Sequence, residues 1–361
     1  MPKGRPAVSS SPALATSLWP DVLARLVRGE DLSGELAAAA LGTILAGDAT
    51  DAQIAGFALG LRTKGETPEE LAALVRAMLE LAPPVEVPGV GPLVDTCGTG
   101  GDRAGTVNVS TMAALVVAGA GASVAKHGNR AASSACGSAD VLEALGVVID
   151  LGPAGVAQCL REVGIGFCFA PRFHSALRHA AAPRRELGVP TTFNVLGPLA
   201  NPAGASRRTV GISDPAMAPR ILGALGELGV EHALVFYGHD GLDELTTTTT
   251  SSVFELRDGE TREYEVDPGA LGLATTERSL LAGGDAGVNA QVVHRVLAGQ
   301  PGPAREIAAL NAAAGLVVAG LADDLGAGLE LAFSTIDEGR AAAVLDAFVR
   351  ASVAARDDEG D

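Results

Sequence analysis

From Trp19 to Leu81 apolar residues recur at three- and four-residue steps, as in Val22, Leu23, Leu26 and Val27 and again in Leu71, Leu74, Val75, Met78 and Leu79. That spacing predicts amphipathic helices. Gly29, Asp31, the run Asp48-Ala49-Thr50-Asp51 and the run Thr67-Pro68-Glu69-Glu70 interrupt it as helix ends and starts. The last is a Thr cap with Pro at the first helical position and acids in the first turn. The segment therefore reads as a bundle of about four helices, closed by a stiff connector at Pro83-Pro84 and Pro88.

Beyond the connector the pattern changes to short apolar runs alternating with helical stretches: Leu93-Val94, Ala122 to Ala125, Val147 to Ile149, Ile165 to Phe169, Thr209 to Ile212 and Ala233 to Tyr237. Such alternation predicts a mostly parallel sheet flanked by helices. Phe173 to Leu187 reads helical, and Thr191 to Pro202 is rich in Gly, Pro and Asn, so the chain is expected to return to the helical domain over about 175–200. Thr246 to Ser252 is a run of seven hydroxyl residues that reads either as a β-branched strand or as a loop near a ligand. Ala304 to Ala322 and Glu338 to Ser352 read as closing helices. The expected fold class is α/β, a small N-terminal helical domain over 17–85 with a large α/β domain over 86–174 and 201–353. A disordered tail is expected over 1–16 and an acidic, solvated one over 354–361.

Composition narrows this picture. The 361 residues suffice for about two domains, and 47% hydrophobic content with 3% aromatics and 46 glycines implies close packing of small side chains. The longest apolar stretch, Ala113 to Ala125, is broken by Gly119, Gly121 and Ser123, so no membrane span is expected. The first residues lack a continuous apolar stretch, so no signal peptide is expected and the cytoplasm is the expected compartment. Cys97, Cys136, Cys159 and Cys168 have no CxxC spacing and no partnering histidine cluster, which predicts reduced, mostly buried thiols. A net charge of −17 repels nucleic acid and anionic lipid. A phosphate-bearing ligand would then be held by main-chain N–H groups, a few cations and a divalent metal.

Two stretches invite that ligand. Asp95-Thr96-Cys97-Gly98-Thr99-Gly100-Gly101-Asp102 lies between an apolar run and the helix start at Asn108-Val109-Ser110-Thr111. Glycine lets main-chain N–H groups crowd around an anion, and a helix N-terminus adds favourable charge. The second, Lys126-His127-Gly128-Asn129-Arg130-Ala131-Ala132-Ser133-Ser134, follows another strand-like run and supplies an ammonium, an imidazole, an amide and a guanidinium. Arg103 stands where a dinucleotide-type GxGxxG would need glycine, and no GxxxxGK[ST] motif occurs. Each fragment also has a plainer reading, as a tight turn, an N-cap or surface charge. Together they end strands where open α/β sheets place ligands. Asp243-Glu244, after an apolar run and the turn Gly238 to Gly241, suit oxygen ligation of Mg²⁺ or an exposed acidic turn. Arg184-Arg185 read as a carboxylate clamp or a solvated helix end, and His174 and His179 as structural.

On these motifs, with Phe193-Asn194-Val195-Leu196-Gly197-Pro198-Leu199-Ala200-Asn201-Pro202 and Gly241-Leu242-Asp243-Glu244, the chain from about Trp19 to Ser352 resembles the anthranilate phosphoribosyltransferase family of tryptophan biosynthesis. The resemblance implies a homodimer through the helical domain and Mg-dependent transfer of phosphoribose from phosphoribosyl pyrophosphate to the amine of anthranilate. It implies that Gly98, Gly101, Asp102, Thr106, Asn108, Ser110, Thr111, Lys126 and Ser138 hold phosphoribosyl pyrophosphate, together with Val109, His127, Gly128, Asn129, Arg130, Ala131, Ala132, Ser133 and Ser134. Ser110, Asp243 and Glu244 would reach the metal, with two ions expected, and Gly98, Asn129 and Arg184 would contact anthranilate. Ser175 stands where the family usually has proline, and Leu177 at a variable position that can be aromatic. No covalent nucleophile is implied. A pyrimidine-nucleoside phosphorylase-like enzyme is one alternative. A non-catalytic nucleic-acid-binding relative is another, which the charge disfavours.

Overall fold

The computed structural model describes residues 12–131 and 135–360, so Ala132, Ser133 and Ser134 of the second loop lie outside the described residues. Four helices open the chain: α1 Pro12–Val27, α2 Gly34–Ala46, α3 Asp51–Lys64 and α4 Pro68–Leu81. At α4 the Thr67 hydroxyl accepts from the Glu70 N–H at 3.1 Å, and the Glu70 carboxylate accepts from the Thr67 N–H at 2.8 Å. This reciprocal pair satisfies two donors that a helix start leaves orphaned. Glu70 is fully buried, and the Leu32 N–H at 2.7 Å and Lys64 Nζ at 2.9 Å fill its remaining lone pairs, which offsets its desolvation.

The α/β part runs β1 Leu93–Gly98, α5 Val109–Gly119, β2 Ser123–Gly128, α6 Ser138–Ala144, α7 Pro153–Val163 and β3 Ile165–Phe169. Then come α8 Ala170–Phe173, α9 Ala181–Leu187, α10 Thr192–Leu199, β4 Arg207–Gly211, α11 Ala218–Glu227, β5 His232–Gly238, β6 Ser251–Arg257 and β7 Glu260–Val266. Four helices follow: α12 Ala286–Leu297, α13 Pro303–Ala319, α14 Leu325–Asp337 and α15 Arg340–Gly360. The seven strands lie in the order β3-β2-β1-β4-β5-β6-β7, the first five parallel and the last two antiparallel.

Strand side chains alternate between the faces. Leu234 and Phe236 join the core beneath α5, α7 and α13 to α15, while Ala233 and Val235 join a core shared with α11 and the helical bundle. The bundle thus packs on one face of the sheet, with α10 against α3 and α4. Glu66, after α3, accepts a hydrogen bond from the Thr192 hydroxyl of α10, and Arg62 of α3 pairs with Asp214 just beyond β4.

Four readings need correction. Val147 to Ile149 form no strand; Val147 and Ile149 are buried and the Val148 N–H donates to Ser352 Oγ at 3.0 Å, so the run is apolar because a loop is packed under α15. Phe173 to Leu187 is a 3₁₀ turn at Ser175–Ala180 followed by α9, not one helix. The acidic stretch over 354–361 continues α15 to Gly360. There the Glu359 carboxylate accepts from the Gly152 and Gly155 N–H groups, both at 2.9 Å, at the N-terminus of α7 where negative charge is favoured. Likewise α1 begins at Pro12, inside the stretch 1–16 expected to be a tail.

Candidate active site

The chain winds outward from β1 through β2 to β3, then crosses back to place β4 on the other side of β1. Open α/β sheets bind ligands at such a reversal, outside the carboxyl ends of the strands. Gly98 and Gly211, paired across the ends of β1 and β4, are both held to glycine by one neighbour. A Cβ on Gly98 would stand 2.6 Å from Asp243 Oδ2, and a Cβ on Gly211 would stand 1.7 Å from the Asp243 carbonyl oxygen. The main chain of the loop after β5 therefore reaches the reversal because no side chain stands at Gly211, while at Gly98 only the end of the Asp243 side chain lies in the way.

The loop after β1 folds around that carboxylate. Gly100 donates its N–H to Asp243 Oδ2 at 2.7 Å, Thr99 donates its N–H to the Gly211 carbonyl at 2.8 Å, and Ser213 Oγ donates to the Gly100 carbonyl at 2.9 Å. Gly100, Gly101, Arg103 and Gly105 all have positive φ, conformations that glycine adopts freely and arginine does not. Asp102 Oδ1 accepts from the Ala104 N–H at 3.0 Å, which tightens the turn. Thr106 forms a bridge with Ala282, laying the segment after β7 along this loop.

Asn108 occupies the N-cap position of α5, yet its side chain caps nothing. Its Nδ2 donates to the Cys136 carbonyl at 3.2 Å and its Oδ1 accepts from Asn289 Nδ2 at 2.8 Å. The first backbone N–H groups of α5 are engaged locally, Val109 with the Val107 carbonyl at 2.8 Å and Thr111 with the Asn108 carbonyl at 3.1 Å, while that of Ser110 faces the Glu244 carboxylate. Lys126 Nζ is buried, donating to Ser110 Oγ at 3.3 Å and to the Thr96 carbonyl at 2.5 Å. Val109 and Thr111 are buried in the first turn.

Burial first, and repulsion from Asp102 second, push the Asp243 carboxyl up to about 7. Burial and Asp243 together drive Glu244 well above the usual carboxylate range. Burial also lowers Lys126, against the pull of Asp95, Cys97 and Glu244. Carboxylates crowded at a helix N-terminus form an acid-rich, hard-oxygen set that a divalent cation would relieve. Among the described residues no group of three or more His, Cys, Asp or Glu side chains is placed to hold a metal ion by itself.

The other expected residues have engagements of their own. Gly128 packs so closely that a Cβ would meet Ser138 Oγ at 2.3 Å and the Phe167 ring at 2.9 Å. Ser138 Oγ donates to the Asn129 carbonyl at 3.3 Å, and Asn129 Oδ1 accepts from the Arg130 N–H at 2.7 Å. Arg130 spends its guanidinium on Asp140 and Glu143 of α6, at 2.9 and 2.8 Å, and Asp140 also accepts from the Ala131 N–H. His127 is buried with its Nδ1 donating to the Gly197 carbonyl at 3.0 Å and its ring edge-to-face with His174 at 5.1 Å. A carbonyl only accepts, so this bond fixes the tautomer, and burial holds His127 neutral with a pKa near 3. Arg184 of α9 sits half-buried over the Phe193 ring at 5.6 Å, its pKa lowered by burial.

Sequence reasoning passed over a buried set beneath the crevice. Asp95 accepts from the His127 N–H at 3.0 Å and from Asn201 Nδ2 at 2.8 Å. Arg208 donates to the carbonyls of Ala205 and Leu199 at 2.9 and 2.6 Å, closing the end of α10. Asp95 and Asn201 stand inside the quoted motifs, but only the crossing of β1, β2 and the segment after α10 reveals that they lock those elements together.

Residues 90–342 match the glycosyl transferase family a/b domain, and residues 20–82 match its helical bundle domain. The chain is 56% identical over 341 residues to the anthranilate phosphoribosyltransferase of a Nocardioides species, covering 93% of this chain and 99% of that one. It is 54% identical over 352 residues to that of Acidothermus cellulolyticus, covering 96% and 98%. Among solved structures, anthranilate phosphoribosyltransferase from Thermus thermophilus superposes with a TM-score of 0.87 at 41% identity, covering 92% of this chain and 99% of that one. The Saccharomyces cerevisiae enzyme in complex with phosphoribosyl pyrophosphate and Mg superposes at 0.86 with 27% identity, covering 95% and 99%.

Proposed function

The chain belongs to the anthranilate phosphoribosyltransferase family, and from that membership we infer that its crevice between β1 and β4 joins phosphoribosyl pyrophosphate to anthranilate. The enzyme transfers the 5-phosphoribosyl group to the amine, giving N-(5-phosphoribosyl)anthranilate and pyrophosphate in tryptophan biosynthesis, and it uses Mg²⁺. The observation that carries the reading is Asp243 seated against Gly98 and Gly211, with Glu244 beside the first turn of α5. The named relatives and the solved structures favour this transferase over a nucleoside phosphorylase or a nucleic-acid-binding relative.

Breaking the bond from C1 to the diphosphate leaves positive charge on the ribose ring and negative charge on the leaving group. In our assignment the loop from Gly98 to Asp102, through the N–H groups of Gly101 and Asp102, and the first turn of α5 at Ser110 and Thr111 stabilise the diphosphate. Thr106, Asn108, Lys126 and Ser138 complete the hold on the phosphorylated sugar. Ser110, Asp243 and Glu244 would hold Mg²⁺, which when bound would supply charge neutralisation for the departing diphosphate, and we assign two ions. Lys126, clamped by Ser110 and Thr96, acts from beneath as a counter-charge to Glu244. Anthranilate's amine is neutral near pH 7, so orientation against C1 contributes more than a strong base. Asn129 and Arg184 orient it, Arg184 through the carboxylate.

We further propose closure of the helical domain, over 17–85 and about 175–200, on the α/β domain, which excludes water from the activated sugar. We also propose a homodimer through that domain, supported by the exposed apolar side chains Val27 and Leu59 on α1 and α3. Among the described residues no helix is long and apolar enough to cross a membrane; the buried thiols of Cys97, Cys136, Cys159 and Cys168 support a reducing cytoplasm. The direct assay is loss of anthranilate fluorescence on adding phosphoribosyl pyrophosphate with and without Mg²⁺. Mg-dependent loss supports the reading, and none with both substrates present overturns it.

A further inference from the structure

Of the hydroxyl run Thr246 to Ser252, only Ser251 and Ser252 lie in β6, and Thr246 to Thr250 precede the strand. Thr246 and Thr248 turn their hydroxyls onto one carboxylate, both donating to Asp240 Oδ2, at 2.8 and 2.5 Å. Asp240 Oδ1 accepts from the Leu242 N–H at 3.2 Å, while Arg278 donates to the Asp240 carbonyl at 2.9 Å. The opposite side is held from α13. Asn311, 3% exposed, accepts the Leu245 N–H on its Oδ1 at 3.0 Å and donates its Nδ2 to the Leu245 carbonyl at 2.8 Å. These two clamps bracket Asp243-Glu244, one three residues before Asp243 and the other one residue after Glu244.

We propose that Asp240 and Asn311 are positioning residues for the metal-facing pair, and that Thr246 and Thr248 serve to hold Asp240. The inference deepens the assignment of Asp243 and Glu244 and rests on it. A loop between strands of this sheet has no regular backbone pairing of its own, so its carboxylates point at the ligand only if the main chain on both sides is fixed. Side-chain clamps supply that fixation. Displacement by about an ångström is enough to cost a preorganised site much of its effect.

Binding of Mn²⁺ to the full chain in the presence of phosphoribosyl pyrophosphate, read by electron paramagnetic resonance without anthranilate, tests this apart from turnover. Asp240→Ala is expected to weaken Mn²⁺ binding about tenfold and to raise the Mg²⁺ concentration needed for half-maximal rate in parallel, while the KM for anthranilate changes less than threefold. Asp240→Asn restores part of the affinity, since an amide oxygen still accepts from Leu242. Should Asp240→Ala fail to fold, Thr248→Val carries the test, removing one donor to Asp240 while keeping the shape; a threefold loss of Mn²⁺ affinity is expected. Unchanged Mn²⁺ affinity in the folded Asp240 variant, or in Thr248→Val when that variant stands in, overturns the proposal, as does an equal loss in every kinetic parameter. A wild-type chain that binds no Mn²⁺ with phosphoribosyl pyrophosphate overturns instead the assignment on which the proposal rests.

Discussion

Asp243→Asn is expected to make the metal-free protein more stable and the enzyme nearly inactive. The side chain keeps its shape, and an amide oxygen still accepts the Gly100 N–H that Asp243 Oδ2 receives at 2.7 Å. What disappears is a carboxylate displaced from its ordinary 3.8 to about 7 by burial and by Asp102. Each tenfold displacement is about 1.4 kcal/mol, so the folded state bears at most about 4 kcal/mol against ionisation. Asp243 is only half-buried, and screening reduces this to about 1–2 kcal/mol. The sign follows from proton binding. A carboxyl whose folded pKa is raised binds more protons folded than unfolded, so stability falls as pH rises from about 4 to 7 and levels off above. The asparagine variant lacks that loss. Thermal unfolding without metal should therefore give a higher melting temperature for Asp243→Asn at pH 8, by a few degrees, with the gain shrinking as pH falls towards 4. Mg²⁺ with pyrophosphate should reverse the order by stabilising only the wild type. A variant that melts lower than wild type at pH 8 without metal, and by the same margin at pH 4.5, would refute the reasoning.

Three further outcomes follow. Asp243→Ala with Glu244→Ala abolishes turnover in the fluorescence assay while circular dichroism and melting show an intact fold, and normal turnover in the double variant discards the metal assignment. Arg184→Ala raises the KM for anthranilate at least tenfold more than the KM for phosphoribosyl pyrophosphate, a split that equal changes would contradict. Gly211→Ala, whose Cβ would meet the Asp243 carbonyl at 1.7 Å, costs about 3 kcal/mol or more in urea unfolding. Gly98→Ala meets only the flexible end of the same side chain, at 2.6 Å, and costs under about 1 kcal/mol, so equal costs would show that the Asp243 main chain does not fill the reversal.

The helical bundle was legible because its signals are local. Thr67, Pro68 and Glu70 specify a helix start by chemistry within four residues, and that start stands where the spacing put it. Strands β3 and β5 were legible for a similar reason, as apolar runs bounded by glycine. Val147 to Ile149 carried the same signature yet packs as a buried loop, because apolar composition reports burial and not backbone pairing. The hairpin of β6 and β7 had a usable sign, the Asp258-Gly259 pair, both at positive φ in the turn. The chemistry of the loops was visible as residue types, but their engagements were not. Arg130 is tied to Asp140 and Glu143, Asn108 to Cys136 and Asn289, and Lys126 is buried beneath the crevice. Those partners lie between ten and about 180 residues away along the chain, beyond any local pattern.

The central claim, that main-chain amides and a metal-facing acidic pair at the reversal between β1 and β4 hold the phosphorylated sugar, is tested most directly by crystals soaked with phosphoribosyl pyrophosphate and Mn²⁺. Anomalous density beside Asp243 and Glu244, with the diphosphate against the loop from Gly98 to Asp102 and the first turn of α5, is the predicted result. Diphosphate and manganese together at another site, with this crevice empty, would contradict the account.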